Sequence, residues 1–158
     1  MGQLSDAIQS RQNDAVLKYL ALGKRNTALF ADRNSIPQPY YNCGCHPDIV
    51  ERIWDGIGVA LPTDCSGLVY GTPALVHPRS AVIFALGIGT QYGLLLPGGL
   101  AVEAVKAGAK LQTKWSSGGT MEIQRELGTD WVFGAWLANE PSWCRRVYEL
   151  FDCTVDGK

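Results

Sequence analysis

The stretch PTDCSGLVY, residues 62–70, places a thiol within a short polar turn. A cysteine presented on a turn becomes a nucleophile when a neighbouring base, most often a histidine, takes its proton. The chain contains two histidines, His46 and His77. Cys65 paired with either of them would form the core of a thiol-dependent hydrolase, so these three side chains are the candidate catalytic residues.

The same turn also has a structural interpretation. Thr63, Asp64 and Ser66 follow Pro62 and belong to the residue types that bond to backbone amides in turns. Cys65 would then be buried as a small apolar side chain. We favour this interpretation, because both histidines are distant in sequence and a thiol needs an activating partner to react at neutral pH.

Residues Asp64 to Tyr70 resemble the NlpC/P60 family of cysteine peptidases and amidases, whose signature is Asp-Cys-Ser-Gly with the Cys opening a helix. The segment AVIFALGIGTQYGLLLPGGLAVEA, residues 81–104, is similar to the strand pair of that family. The resemblance implies that Cys65 is the nucleophile and that a histidine at the start of the second strand is its base.

Two features depart from that family pattern. Gln91 and Tyr92 occupy the place of the expected histidine, and neither takes a proton from a thiol near neutral pH. Gly71 and Pro73 follow Cys65 so closely that a long helix is not expected there. Without the helix, its dipole no longer lowers the pKa of the thiol.

A second candidate site is YNCGCHP, residues 41–47. Cys43, Cys45 and His46 are zinc ligands by type, and Cys65 would supply a fourth. Structural zinc sites favour Cys-x-x-Cys spacing, however, and the adjacent Cys45 and His46 point in divergent directions. In the alternative, His46 caps a helix that begins at Pro47. Zinc is the one cofactor that the sequence suggests, and otherwise we expect none.

Aromatic residues suggest a binding surface, since the chain has five Trp and six Tyr. Tyr40 and Tyr41 are adjacent on an irregular segment, and exposed aromatic rings commonly build binding surfaces. The turn residues Asp64, Gln91 and Tyr92 complete the candidate ligand-binding set. A Trp-rich core beneath the last helix is the alternative explanation of this composition.

The hydrophobic pattern predicts a single α+β domain in which a largely antiparallel sheet of about six strands is packed by about four helices. We expect a helical part over residues 1–60, a sheet-rich part over 66–137 and a C-terminal helix over 140–152. Near-continuous apolar runs in the sheet-rich part predict strands that are buried on both faces. The pattern also predicts that Trp131 and Trp136 lie on opposite faces of the last strand.

Charge and composition exclude several functions. Fourteen Lys and Arg balance fifteen Asp and Glu without a run of like charge, which argues against binding to nucleic acid or to an anionic membrane. Residues 80–102 carry no charge, but five glycines and Pro97 favour two buried strands over a membrane span. An odd number of cysteines, without an apolar N-terminal segment, predicts reduced thiols in a soluble cytoplasmic protein.

The leading functional hypothesis is therefore non-covalent binding of a small molecule or a protein partner. Its aromatic surface, or a sheet edge, would also allow self-association into a homo-oligomer. Hydrolysis by Cys65 and a zinc-stabilised interaction module are the alternatives.

Overall fold

The structure is a computed structural model that describes residues 8–9, 11–21, 29–35, 45–114 and 118–156. Over these ranges the chain forms an α+β fold with a six-stranded antiparallel sheet and a separate two-stranded sheet, as the sequence predicts. The strands are β1 (Phe30–Asp32), β2 (Ser66–Val69), β3 (Thr72–Val76), β4 (Ile83–Ile88), β5 (Gln91–Leu95), β6 (Gln112–Lys114), β7 (Thr120–Glu122) and β8 (Trp131–Phe133).

Five helices accompany the strands in the described part of the chain. None of them has both the length and the apolar character needed to cross a membrane. They are α1 (Asp14–Ala21), α2 (Pro47–Glu51), α3 (Leu100–Ala107), α4 (Ile123–Leu127) and α5 (Glu140–Asp156).

The six-stranded sheet has the order β1-β2-β3-β4-β5-β8, so that neighbours in sequence are mostly neighbours in space. Every residue of β3 and β4 is buried, which confirms that these apolar runs are covered on both faces. The turn between them falls at residues 77–80, where Pro78 suits a tight turn. The middle third of the chain therefore folds as the sequence predicts.

Helices cover both faces of this sheet. On one face, α2, α3 and α5 bury side chains such as Ile49, Leu100 and Val147 against Phe84 and its neighbours. On the other face, residues of α1 and α4, including Val16 and Leu127, pack against the sheet. The fold is thus a three-layer arrangement with one apolar core on each side of the sheet.

Helix α2 begins at a histidine cap. His46 has an extended backbone, and its Nδ1 accepts a hydrogen bond of 3.1 Å from the backbone N–H of Asp48. Pro47 occupies the first turn, where its missing N–H costs nothing. The helix then widens into a π-helical turn over Arg52–Ile57, a geometry that is rare and frequently found at functional sites. The capping interpretation of His46 is confirmed.

Three local predictions are wrong. Strand β1 lies within the part predicted to be helical, because Phe30 and its neighbours pair with β2 and the Phe30 ring lies over Gly67. Residues Ile123–Leu127 lie in the part predicted to be rich in sheet but form a helix, which places Ile123 and Leu127, four residues apart, against the six-stranded sheet. The C-terminal helix extends to Asp156 rather than ending at residue 152.

The last strand is also shorter than the pattern predicts. It ends at Phe133, so Trp131 is buried in the sheet while Trp136 lies beyond the strand and is 54% exposed. Trp136 therefore does not pack on an opposite face of that strand.

Candidate functional site

Cys65 lies in a closed turn. Its side chain is only 4% exposed, and its sulfur makes a hydrogen bond of 3.6 Å to the carbonyl of Thr63. Burial raises the pKa of the thiol to about 12, with a smaller contribution from the nearby carboxylate of Asp64. A thiol with a pKa raised in this way needs a base to take its proton before it can act as a nucleophile.

Among the described residues, the hydrogen bonds of both histidines go to backbone groups and not to Cys65. His46 is exposed, and its Nδ1 is engaged in capping α2. His77 is fully buried, and its Nδ1 accepts hydrogen bonds from the backbone N–H groups of Arg79 and Ser80 at 3.2 and 3.1 Å. Its ring packs against that of Tyr148, with 4.5 Å between the centroids. The arrangement of Cys65, His46 and His77 as a catalytic set is not supported by these contacts.

The position of His77 has a consequence for stability. Because Nδ1 accepts two hydrogen bonds, the neutral ring carries its proton on Nε2, which lies 3.7 Å from Oδ1 of Asp152. Burial lowers the pKa of His77, and the carboxylate of Asp152 offsets only part of this, while Arg79 lowers it further. A second proton would sit on Nδ1 and break both bonds to the turn.

We therefore expect acid to destabilise the fold through His77. The neutral His77 ring makes its full contribution to the free energy of unfolding above pH 6.5, which is about the pKa of histidine in the unfolded chain. This contribution is lost as the pH falls from there toward the lower pKa of His77 in the folded state. His77→Asn retains an oxygen acceptor for the turn but does not titrate. Urea unfolding of both proteins should show that the wild type exceeds His77→Asn in free energy of unfolding by less at pH 5 than at pH 7.5. A difference in free energy that does not change with pH would contradict this role of His77.

The metal hypothesis lacks a ligand cluster in the described part of the chain. No group of three or more His, Cys, Asp or Glu side chains there could hold a metal ion. Cys45 lies close to Gly87, His46 caps α2, and Cys65 is buried in its own turn. Cys43 lies outside the described residues.

The predicted ligand-binding residues have different environments. Tyr40 and Tyr41 lie outside the described residues. Asp64 closes the turn itself, since its Oδ1 accepts hydrogen bonds from the N–H of Ser66 at 3.0 Å and from its hydroxyl at 2.5 Å. Gln91 borders a surface cleft, but Tyr92 is fully buried and does not reach a ligand directly.

Tyr92 instead belongs to a buried polar network with Arg52 and Glu140. The side chain of Glu140 is 1% exposed, and its Oε1 accepts hydrogen bonds from the Tyr92 hydroxyl and, at 2.8 Å, from Nη2 of Arg52. Burial raises the pKa of Tyr92, and its hydrogen bond to Glu140 adds to this, so the phenol remains a donor. Burial alone would lower the pKa of Arg52, but the hydrogen bonds to Glu140 and Tyr92 outweigh it.

The network fixes the backbone that follows β8. The N–H of Ala135 donates to Oε2 of Glu140 at 2.9 Å, and the N–H of Trp136 donates to the Tyr92 hydroxyl at 2.8 Å. Nη2 of Arg52 also donates to the carbonyl of Leu137 at 2.8 Å. Three consecutive residues of one loop are thus held by the side chains of Arg52, Tyr92 and Glu140, of which Arg52 is partly buried and the other two are buried.

Trp136 is the exposed residue of this loop. Its φ of 59° lies in the left-handed region, which costs a non-glycine residue about 1–2 kcal/mol. Its ring meets that of Tyr92 edge-on at 5.6 Å, and the Arg52 guanidinium lies 5.4 Å from its centroid. A strained backbone that presents a large aromatic ring to solvent is a common feature of functional sites.

Two open clefts share Trp136. The first, which we call the Gln91 cleft, has a volume of about 280 Å³. The second, the Glu51 cleft, has a volume of about 340 Å³. The Gln91 cleft is lined by Thr90, Gln91, Lys110, Gln112, Thr113, Phe133, Gly134, Ala135 and Trp136, and the Glu51 cleft by Glu51, Arg52, Asp55, Gly56 and Trp136.

No protein-family model, no curated protein and no solved structure matches the chain. The resemblance to the NlpC/P60 family thus rests on residues 64–70 and 81–104 alone. The predicted departure from that family is confirmed at Cys65, because the residues after it, Ser66–Val69, form a strand instead of a helix. Where the family has its base, this chain has Gln91, which borders a cleft, and the buried Tyr92.

Sequence reasoning missed Arg52, Glu140 and Trp136 as site residues. Arg52 and Glu140 are 88 residues apart and carry no shared motif. A local signal existed for Trp136 in GAWLANEP, residues 134–141, where Gly, Asn and Pro interrupt the apolar run and favour a loop over a continuing strand.

Proposed function

We propose that the protein binds a peptide segment of a partner protein, without covalent chemistry, on the surface formed by Trp136 and its two clefts. The observation that carries this proposal is the half-exposed Trp136 ring on a left-handed backbone, anchored from beneath by the partly buried Arg52 and the buried Tyr92 and Glu140. A cytoplasmic location is part of the proposal, and the free thiols of Cys65 and Cys144 support it.

The residue types at this surface support protein binding. Trp, Tyr and Arg are the residues most enriched among those that dominate the binding energy of interfaces. Trp136 and Arg52 line this surface, and the Trp136 ring meets the Arg52 guanidinium near its face and the buried Tyr92 ring at its edge. A ring fixed in advance loses little conformational entropy when a ligand covers it.

The shape of the surface favours an extended ligand. Pockets for small molecules usually measure 300–1,000 Å³ and enclose most of the ligand. The two clefts are open rather than enclosing, their volumes of about 280 and 340 Å³ lie just below and at the lower end of this range, and they meet at one residue, Trp136. A peptide that crosses Trp136 would place residues in both clefts, and the side-chain amides of Gln91 and Gln112 would then pair with its backbone.

The proposal predicts that Trp136→Ala strongly weakens the binding of peptides that the wild type selects. A display library of random 12-residue peptides is panned against the wild type, and the enriched peptides are synthesised and titrated by isothermal calorimetry. Loss of a dominant aromatic contact costs at least about 2 kcal/mol, so we expect binding to the variant to be about 30-fold weaker or worse.

Val59→Ala is the matched control, because Val59 is an apolar side chain that is 76% exposed and lines neither cleft. The control should bind the selected peptides as tightly as the wild type does. Enrichment of no peptide family, or equal binding by Trp136→Ala, would overturn the proposal. Self-association through the same surface stays a prediction, which sedimentation of the wild type and of Trp136→Ala would test.

A further inference from the structure

We infer that the bound segment is dipolar, with a carboxylate that pairs with Lys110 in the Gln91 cleft and a cationic side chain that pairs with Glu51 in the Glu51 cleft. An apolar residue between these two charges would cover Trp136. The inference rests on the proposed function and names the chemistry of its ligand.

The Gln91 cleft is positively charged. Lys110 is the one charged residue among the described residues that line it, and the other polar side chains are neutral amides and hydroxyls. Lys110 is exposed and forms no ion pair with any described residue. A carboxylate of a ligand would therefore meet an ammonium group that is not already neutralised, together with hydrogen-bond donors from Gln91 and Gln112.

The Glu51 cleft has the opposite character. Glu51 and Asp55 lie four residues apart on α2 and the π-helical turn, and both are exposed. The guanidinium of Arg52 does not neutralise them, because it is directed to Glu140, Tyr92 and Leu137. Glu51 forms no ion pair within the described ranges, and Asp55 lies 3.6 Å from Arg33.

The two charges are therefore separated by one aromatic ring. Because Trp136 lines both clefts, a ligand that crosses it passes from a basic cleft to an acidic one. Complementary charges of this kind mainly determine which partner binds and in which direction, since like charges in the reverse orientation repel. The arrangement thus selects both the charge pattern and the polarity of the segment.

Charge reversal tests this inference with the same peptide library. Lys110→Glu should enrich peptides that carry a basic residue in place of the acidic one, and Glu51→Lys should produce the reverse exchange on the other side of the apolar residue. Peptides selected on the wild type should bind each variant about tenfold more weakly, and a peptide with the matching reversed charge should restore the affinity.

Lys106→Glu and Glu103→Lys are the matched controls, because both residues are exposed on α3 and line neither cleft. They should leave the selected sequences unchanged. Peptides that depend on Trp136 but lack the charge pattern, or whose pattern does not follow the reversals, would overturn the inference and leave the proposed function intact. The absence of any peptide that depends on Trp136 would overturn both.

Discussion

Replacing Glu140 with alanine is expected to lower the free energy of unfolding by about 3–5 kcal/mol, the usual cost of removing one partner of a buried ion pair. The side chain of Arg52, 15% exposed, would lose the carboxylate that compensates its charge. The Tyr92 hydroxyl and the N–H of Ala135 would lose their acceptor as well. Urea unfolding monitored by circular dichroism measures the change.

Glu149→Ala is the control, since Glu149 lies on the same helix, is exposed, and pairs with Arg145 at 3.4 Å. An exposed pair of this kind contributes about 0.5 kcal/mol or less. Glu140→Gln keeps the size of the side chain and one oxygen acceptor, so its free energy of unfolding should lie between those of Glu140→Ala and the wild type. Equal stability of Glu140→Ala and Glu149→Ala would show that the network of Arg52, Tyr92 and Glu140 does not stabilise the loop over residues 135–137.

Replacing Gly134 with alanine is expected to cost about 3 kcal/mol, at the upper end of the range for overpacking a core. A Cβ at this position would lie 1.8 Å from Cε2 of Tyr92 and 2.1 Å from Cζ, where atoms need more than 3 Å. The ring cannot yield easily, because Tyr92 is fully buried and its hydroxyl is bonded to Glu140 and Trp136. Thermal and urea unfolding would both report the loss.

Gly98→Ala separates this steric effect from backbone strain. Gly98 has a φ of 69° and no atom within 4 Å of an added Cβ, so its replacement carries only the backbone cost of about 1–2 kcal/mol. The Gly134 variant should also weaken the proposed binding of peptides, because displacing Tyr92 would release Trp136. Gly134→Ala with the stability and the peptide affinity of the wild type would contradict the packing described for the network.

Local sequence patterns were sufficient for the central part of the fold. The continuous apolar residues of β3 and β4 and the proline turn between them leave few conformations other than a buried hairpin. Gly108 likewise ends α3 through a local preference, because its φ of 127° disfavours other residues. The turn at Cys65 was predictable from its residue types in the same way, since the side chain of Asp64 accepts a hydrogen bond from the backbone N–H of Ser66, two residues on.

The hydrophobic pattern does not distinguish a strand from a helix where the same residues fit both the strand period and the helix period. The segment TMEIQREL, residues 120–127, places apolar residues both two and four positions apart, so it fits a strand and a helix. In the structure the first three residues form strand β7, and helix α4 begins at the next residue, Ile123. Packing of Ile123 and Leu127 against the sheet decides between them, and this contact is not visible in the local sequence.

The sequence by itself determined the class of fold, the buried central strands, the cap at His46 and the turn that closes over Cys65, because each depends on residues within a few positions of one another. Only the tertiary structure brought Arg52, Tyr92 and Glu140 together and placed Trp136 above them. The physical reason is that a buried charge is stable only beside its partners. Those partners lie 40 to 88 residues away, at distances that no local propensity encodes.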